Sequence, residues 1–301
     1  MRNVLIKLLD YFFATRPVLF MPVWTIALLG AGRAAGHLLS SETAGSLLFA
    51  TAGIFGAVYL VNQIFDRESD RINNKVFFLS RKILSVPEAA ILTIGLNLAA
   101  LAVALLISGY AFVLFVGIVV LGIIYSAPPL RLKDRAWPAL FANMLAHGSI
   151  VYLIGAGWKE NVGLNHLIRS LPYFFAVGAI YLNTTLPDME GDRGAGKKTV
   201  AVVYGERFAQ GMALVFVLLA IGIAIFTRDY DFLLPAILSL PFFALALDRK
   251  SVRFSVWGTK AALVLLSLSA VLYFYWYVLI LAAGFLAVRI YYKRRFGMVY
   301  P

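Results

Sequence analysis

The chain has 301 residues, of which 61% are hydrophobic and 14% charged, with a mean hydropathy of +0.85. A soluble protein carries roughly a quarter charged residues, so a water-soluble globule is excluded. The absence of cysteine rules out disulfides, thiolate catalysis and zinc–cysteine sites, and the three histidines (His37, His147, His166) are too scattered for a histidine-rich metal site. A net charge of +12 could suit nucleic acid, but the basic residues sit in short loops between apolar runs, where they orient a membrane protein.

Along the chain, apolar runs cover 18–32, 44–65, 89–109, 110–126, 138–158, 171–186, 208–226 and 232–247. Most are long enough to cross ~30 Å of hydrocarbon as helices. The first follows Arg2, Lys7 and Arg16 without a small-residue cleavage site, so it reads as a retained span, not a signal peptide. A last apolar region, 259–288, would be ~45 Å long as one helix. Its cluster Tyr273-Phe274-Tyr275-Trp276-Tyr277 resembles an interfacial belt and a place to turn. The expected fold is therefore an all-α polytopic membrane bundle of about nine transmembrane helices, or ten short ones, in a single domain over 1–301. With the residues before the first span placed inside, the inside loops hold nineteen basic residues and the outside loops four. That asymmetry predicts an integral multi-pass protein of a prokaryotic plasma membrane, its N-terminal segment cytoplasmic.

Two acidic pairs break this pattern. Asp66 and Asp70 follow the run 44–65, and Asp188 and Asp192 follow the run 171–186. Each pair has i, i+4 spacing, so on a helix both carboxylates share one face. Both fall on the inside, at span ends, where a carboxylate is costly without a cation. Asn62 lies one turn before Asp66, inside the apolar run, where an unpaired amide is also costly. Hard oxygen ligands of this kind suit Mg²⁺, which keeps waters and bridges a few carboxylates to phosphate oxygens. Basic residues stand nearby: Arg67, Arg71 and Lys75 by the first pair, Arg193, Lys197 and Lys198 by the second, with Arg131, Lys133 and Arg135 in the loop between. Metal-binding acids and phosphate-binding bases above an apolar interior predict an amphiphilic substrate, a diphosphate head on a long apolar tail.

At these residues the chain resembles the UbiA superfamily of intramembrane prenyltransferases. The motif N-x3-D-x3-D matches Asn62, Asp66 and Asp70, and D-x3-D matches Asp188 and Asp192. Tyr125-Ser126-Ala127-Pro128-Pro129-Leu130-Arg131-Leu132-Lys133 resembles the family's loop after the fourth span. Two departures separate it from many members: Asn74 is not followed by the family's Arg-Pro, and Thr185 stands where an additional Asp often opens the second motif.

The resemblance implies a bundle around a central cavity, capped from the cytosolic side by the acidic motifs. It implies transfer of an isoprenyl chain from a prenyl diphosphate to a hydrophobic, often aromatic, acceptor through an allylic cation. Asn62, Asp66, Asp70, Asp188 and Asp192 would hold Mg²⁺ and through it the diphosphate. Arg67, Lys133 and Lys198 would contact the diphosphate directly, with Arg71 and Arg131 behind them. The Tyr125 ring would face the cation, and Asp70 or Asp192 would take the acceptor proton. Arg16-Pro17 resembles a family feature and also reads as a positive-inside anchor. Asn143 and His147, one turn apart, read as packing polar groups. Aromatic acids, quinone precursors, haem, chlorophyllide and glycerol-phosphate lipids all serve as acceptors in the family. The competing readings are another lipid-phosphate transferase and a cation-coupled transporter. The Asp-Gly-x2-Ala-Arg signature of CDP-alcohol phosphotransferases is missing, and a transporter would carry its acidic residues near the bilayer midplane.

Overall fold

The structure, a computed structural model, describes residues 2–72 and 78–300, without the side chains at 2, 3, 68, 69 and 72. In chain order the helices are α1 (Arg2–Ala14), α2 (Phe20–Ala35), α3 (Ser41–Ile72), α4 (Val86–Ile107), α5 (Gly109–Ser126), α6 (Ala136–Asn143) and α7 (Val151–Ala156). They continue as α8 (Leu164–Thr185), α9 (Met189–Gly194), α10 (Val200–Tyr204), α11 (Glu206–Phe226), α12 (Tyr230–Asp248), α13 (Val252–Ala270) and α14 (Tyr277–Phe296). A π-helical stretch, Met144–Ile150, joins α6 to α7. No strand forms among the described residues.

Seven described helical segments, two of them joined from the shorter helices just named, are long and apolar enough to cross a membrane: Val4–Ala35, Ser41–Arg67, Val86–Ile107, Gly109–Ser126, Ala136–Ala156, Glu206–Phe226 and Tyr230–Asp248. The protein is an integral membrane protein. Helices α8, α13 and α14 are of similar length (22, 19 and 20 residues) but carry more polar side chains. The long region 259–288 is not one helix. The chain turns at 271–276, inside the aromatic cluster, and two separate helices result. The cluster also anchors: Tyr273 accepts from the Leu39 amide through its carbonyl (2.8 Å), and its hydroxyl donates to Asp231 Oδ2 (2.6 Å). The departure at Asn74 lies outside the described residues, whereas Phe78 and Leu79 just beyond it are buried.

In lipid, helix association is driven by close packing more than by apolar burial, because lipid tails are as apolar as leucine. The crossing of α2 and α7 shows it. A Cβ on Gly30 would stand 2.2 Å from the Tyr152 carbonyl oxygen, and one on Gly155 2.0 Å from that of Ala27. The helices touch backbone to backbone, so neither position has room for a methyl group. Gly155→Ala is expected to force α2 and α7 apart at a cost of about 2 kcal/mol or more. Thermal unfolding in detergent checks this, with Gly163→Ala, where a Cβ meets nothing within 4 Å, as the control.

The large leucine, isoleucine and phenylalanine side chains of α4 and α11, such as Ile91, Leu98, Leu106 and Phe226, face outward, as lipid-facing surfaces do. At one end of the bundle, Asp10 of α1 is held by the Tyr291 hydroxyl and by Arg295 of α14 (3.1 Å from Nε and from Nη2). At the other end Arg33 of α2 meets Asp229 (3.0 Å), which caps α12, and Asp231 (3.1 Å) in its first turn.

Candidate functional site

Helix α3 runs seven residues past the apolar run that begins it, so the first acidic motif is carried on helix. Asn62, Asp66 and Asp70 recur every four residues and share one face. Asp66 and Asp70 are buried on that face. Arg67 and Arg71 also share a face with each other, but one residue on, about 100° round the helix from the aspartates. They line a different cavity of about 520 Å³, with Lys7, Lys82 and Glu88. Of the basic residues expected at the diphosphate, these two are not brought to the face that holds Asp66.

The loop after α5 supplies the cations that are. Arg131 adopts a left-handed conformation (φ 39°), which starts a 3-10 turn at Leu132–Asp134 and turns Lys133 inward. The Lys133 side chain is buried, and its ammonium donates to Asp66 Oδ1 at 2.6 Å. Burial pushes the Lys133 ammonium below its ordinary lysine value, and the neighbouring Asp66 carboxylate pulls it back up. Arg131 Nη2 lies 3.8 Å from the same oxygen, and its Nε is 2.9 Å from Asp134 Oδ2. At the top of α3, Asn62 Nδ2 lies 3.5 Å from the Ser126 hydroxyl that ends α5.

The same loop reaches the second motif. The Asp134 carbonyl accepts from the Lys198 amide (3.1 Å), and Arg135 and Lys198 form an isolated parallel bridge. Asp188 opens the short helix α9, and the Asp192 amide returns to the Asp188 carbonyl (2.8 Å), which confirms the one-turn spacing. Asp192 is buried and Asp188 exposed. Gly196 takes φ +72°, and the turn it makes brings the Lys197 ammonium to 3.6 Å from Asp192 Oδ1. The Lys198 side chain is exposed, so it is the Lys198 backbone that joins the two motifs.

Beneath the motifs lie two cavities. The first, about 290 Å³, is lined by Arg16, Tyr59, Asn62, Tyr125, Asn143 and His147 together with apolar groups. The second, about 230 Å³, is mostly apolar and shares only Leu19, Pro22, Asn143 and His147 with the first. Tyr125 joins the two sides. Its hydroxyl accepts from Asn143 Nδ2 (3.1 Å) and meets the hydroxyl of Tyr181. Tyr125 lies within electrostatic reach of Asp66, and Tyr181 of Asp192. Tyr181 carries no sequence motif of its own: α8 ends at Thr185, before Asp188, and the place of Tyr181 beside Tyr125 is set by the packing of helices. Asn143 and His147, read there as packing groups, are shared cavity wall.

No three His, Cys, Asp or Glu side chains gather as a metal cage among the described residues. The arrangement is a basic loop strung between two acidic motifs, over buried apolar space.

Comparison with known proteins gives the following. The model of the UbiA prenyltransferase family matches residues 23–257. A chloroplastic 2-acyl-4-prenylphloroglucinol 6-prenyltransferase of Humulus lupulus is 31% identical over 179 residues, 55% of this chain and 44% of that protein. This chain therefore spans less than half of that relative's length. A digeranylgeranylglyceryl phosphate synthase of Thermococcus sibiricus is 29% identical over 208 residues, 67% of this chain and 70% of that one. Among solved structures, a UbiA homolog from Archaeoglobus fulgidus bound to DMAPP and Mg²⁺ superposes with a TM-score of 0.68 at 20% identity, over 93% of this chain and 99% of that one. That likeness is one of fold.

Proposed function

This chain belongs to the UbiA prenyltransferase family, and we propose that it is a Mg²⁺-dependent enzyme moving an isoprenyl chain from a prenyl diphosphate to a hydrophobic, hydroxyl-bearing acceptor. The observation that carries this reading is the loop 131–135, which places Lys133 and Arg131 on Asp66 and ties its backbone to Lys198 beside the second motif. We read the chain as one transmembrane domain, with the acidic motifs on the cytoplasmic side, as the basic loops favour.

The donor set fits Mg²⁺. Cations already stand at both motifs, Lys133 at Asp66 and Lys197 at Asp192. The carboxylates are divided between two motifs, Asp66 and Asp70 on α3 and Asp188 and Asp192 at α9, which suits an ion that takes one or two carboxylates and completes its shell with phosphate oxygens and water. Asn62, Asp66, Asp70, Asp188 and Asp192 are the residues that would hold it. When bound, Mg²⁺ supplies charge stabilisation to a departing diphosphate.

The chain's own residues do the rest. Lys133 and Arg131, already on Asp66, donate to the diphosphate oxygens as the bond from C1 to oxygen breaks and the electron pair leaves with the diphosphate. Lys198 adds a cation from the other side; Arg67 and Arg71 contribute to the field from their neighbouring cavity. The apolar wall keeps water from the allylic cation, and the Tyr125 ring faces it. The acceptor oxygen or carbon then bonds to C1 and releases one proton, for which Asp70 or Asp192 is the proposed base.

The test uses purified protein in lipid nanodiscs with labelled geranylgeranyl diphosphate, Mg²⁺ and a panel of acceptors: a phenolic acid, a dihydroxynaphthoate and a glyceryl phosphate ether lipid. The expected result is acceptor-dependent diphosphate release that EDTA abolishes and added Mg²⁺ restores. Release that survives chelation would sink the reading.

A further inference from the structure

The two cavities do more than adjoin. Each is lined by a residue near a different acidic motif: the first by Asn62, one turn before Asp66 on α3, and the second by Thr184, four residues before Asp188 at the end of α8. Their linings differ. Beyond the shared Asn143 and His147, the first presents Tyr59, Asn62 and Tyr125, whereas the second is walled mainly by Val23, Ile26, Ala176, Val177, Ile180 and Leu266, with the Tyr173 and Tyr181 rings at its side. A long isoprenyl tail is matched by the second, and a molecule with a polar group by the first.

The wall between them is made by the end of α6 and the π-helical stretch after it, which carry Asn143 and His147. A π-bulge breaks the regular bonding register of a helix and is frequent at functional sites. His147 lies in the middle of a membrane span, where an ionisable side chain is expensive. Its bonding is incomplete: Nε2 lies 3.3 Å from the Tyr59 hydroxyl, a long contact, and Nδ1 faces the Asn143 carbonyl one turn back without meeting hydrogen-bond geometry. The Tyr59 ring lies nearly parallel to the imidazole with centroids 6.3 Å apart, and the Phe55 ring, one turn earlier on α3, is tilted against it at 5.0 Å. An imidazole and a phenol on a cavity wall, weakly satisfied by each other, form a donor–acceptor pair suited to a third hydroxyl.

We propose that the second cavity takes the isoprenyl tail and the first takes the acceptor, and that Tyr59 and His147 together hold an acceptor hydroxyl in the first. This rests on the prenyltransferase reading. His147 is then a specificity-determining contact: it fixes which atom of the acceptor meets C1, while the diphosphate is held elsewhere.

The test measures KM for both substrates in nanodiscs, with geranylgeranyl diphosphate, Mg²⁺ and the three acceptors named above. Loss of one hydrogen bond to the acceptor is expected to raise its KM about tenfold in His147→Phe and in Tyr59→Phe, with the KM of the diphosphate changed by no more than about twofold. His147→Gln, which keeps a hydrogen-bonding group there, is expected to stay within about threefold of the parent enzyme. Should His147→Phe not fold, as judged by binding of labelled geranylgeranyl diphosphate, Tyr59→Phe carries the test. Equal changes in both KM values, or a glutamine variant no better than phenylalanine, would show a packing role and overturn the proposal. Diphosphate binding with transfer to none of the three acceptors would overturn the hydroxyl assignment alone. Failure to bind the labelled diphosphate with Mg²⁺ would overturn the prenyltransferase reading beneath it.

Discussion

Asp66→Ala is expected to lower prenyl diphosphate cleavage by about a thousandfold, since removing one group that stabilises developing charge in a dry site typically costs two to three orders of magnitude. Asp66 does two things, and of the two motif cations it holds the more deeply buried one, Lys133. The carboxylate is a proposed metal ligand, and in this structure it holds Lys133 at 2.6 Å and Arg131 at 3.8 Å. Without it, Lys133 is a buried ammonium with its main partner gone, and breaking such a pair costs about 3–5 kcal/mol. Loss of rate and loss of fold must therefore be separated. The double variant Asp66→Ala, Lys133→Met removes both charges and leaves an apolar contact, so it is expected to regain most of the thermal stability and none of the activity. Asp66→Asn keeps the shape and a hydrogen bond to Lys133, and is expected to fold normally and still fail. Diphosphate release by Asp66→Asn above a tenth of the parent rate would contradict a ligand role for this carboxylate.

The residues that sequence reading reached and those it missed differ in one respect, the range over which their positions are set. The aspartates, Asn62 and the apolar part of α3 follow from hydropathy and four-residue spacing, which are local; the seven residues by which α3 outruns the apolar stretch do not. The separation of Arg67 and Arg71 from the aspartates is local too: a shift of one residue is about 100° on a helix, and grouping them by proximity in sequence overlooked it. The inward turn of Lys133 depends on the left-handed Arg131, and nothing in a Leu-Arg-Leu-Lys run announces that conformation. The turn at 271–276 was visible as an aromatic cluster, but its contact with Asp231 was not, because the partner comes from another helix. Tyr59 and His147 are 88 residues apart, and Arg33 and Asp231 are 198 apart. Such pairs are decided by which helices neighbour each other, which periodicity along one helix does not encode. The acidic motifs needed no such information, which is why the chemistry was readable before the cavity was.

Asp229→Ala is expected to be the most destabilising single change at the end of the bundle far from the acidic motifs. The Asp229 side chain is fully buried and has three partners: Arg33 Nη1 at 3.0 Å, the Tyr173 hydroxyl at 3.0 Å, and the Phe232 amide at 3.1 Å, whose bond caps α12. Burial pushes the Asp229 carboxyl above its ordinary value, and the Arg33 guanidinium draws it back. Alanine removes the cap, about 1 kcal/mol, and strands a largely buried guanidinium, about 3–5 kcal/mol. Arg33 is not left wholly alone, because Asp231 stands at 3.1 Å and is itself fixed by the Tyr273 hydroxyl at 2.6 Å. The lower end of that range is therefore expected, with a fall in Tm of about 10 °C in detergent. Asp229→Asn keeps the cap and a bond to Tyr173, so it should fall between. The network joins α2, α8 and α12 at the end away from the motifs. Only the Tyr173 ring, held there by its own packing against Tyr152 and Phe232, also lines the second cavity, so the fraction that remains folded is expected to keep its KM for prenyl diphosphate within about twofold. A variant as stable as the parent would mean that Asp231 alone satisfies Arg33; a raised KM in folded protein would mean that this end of the bundle shapes the cavity.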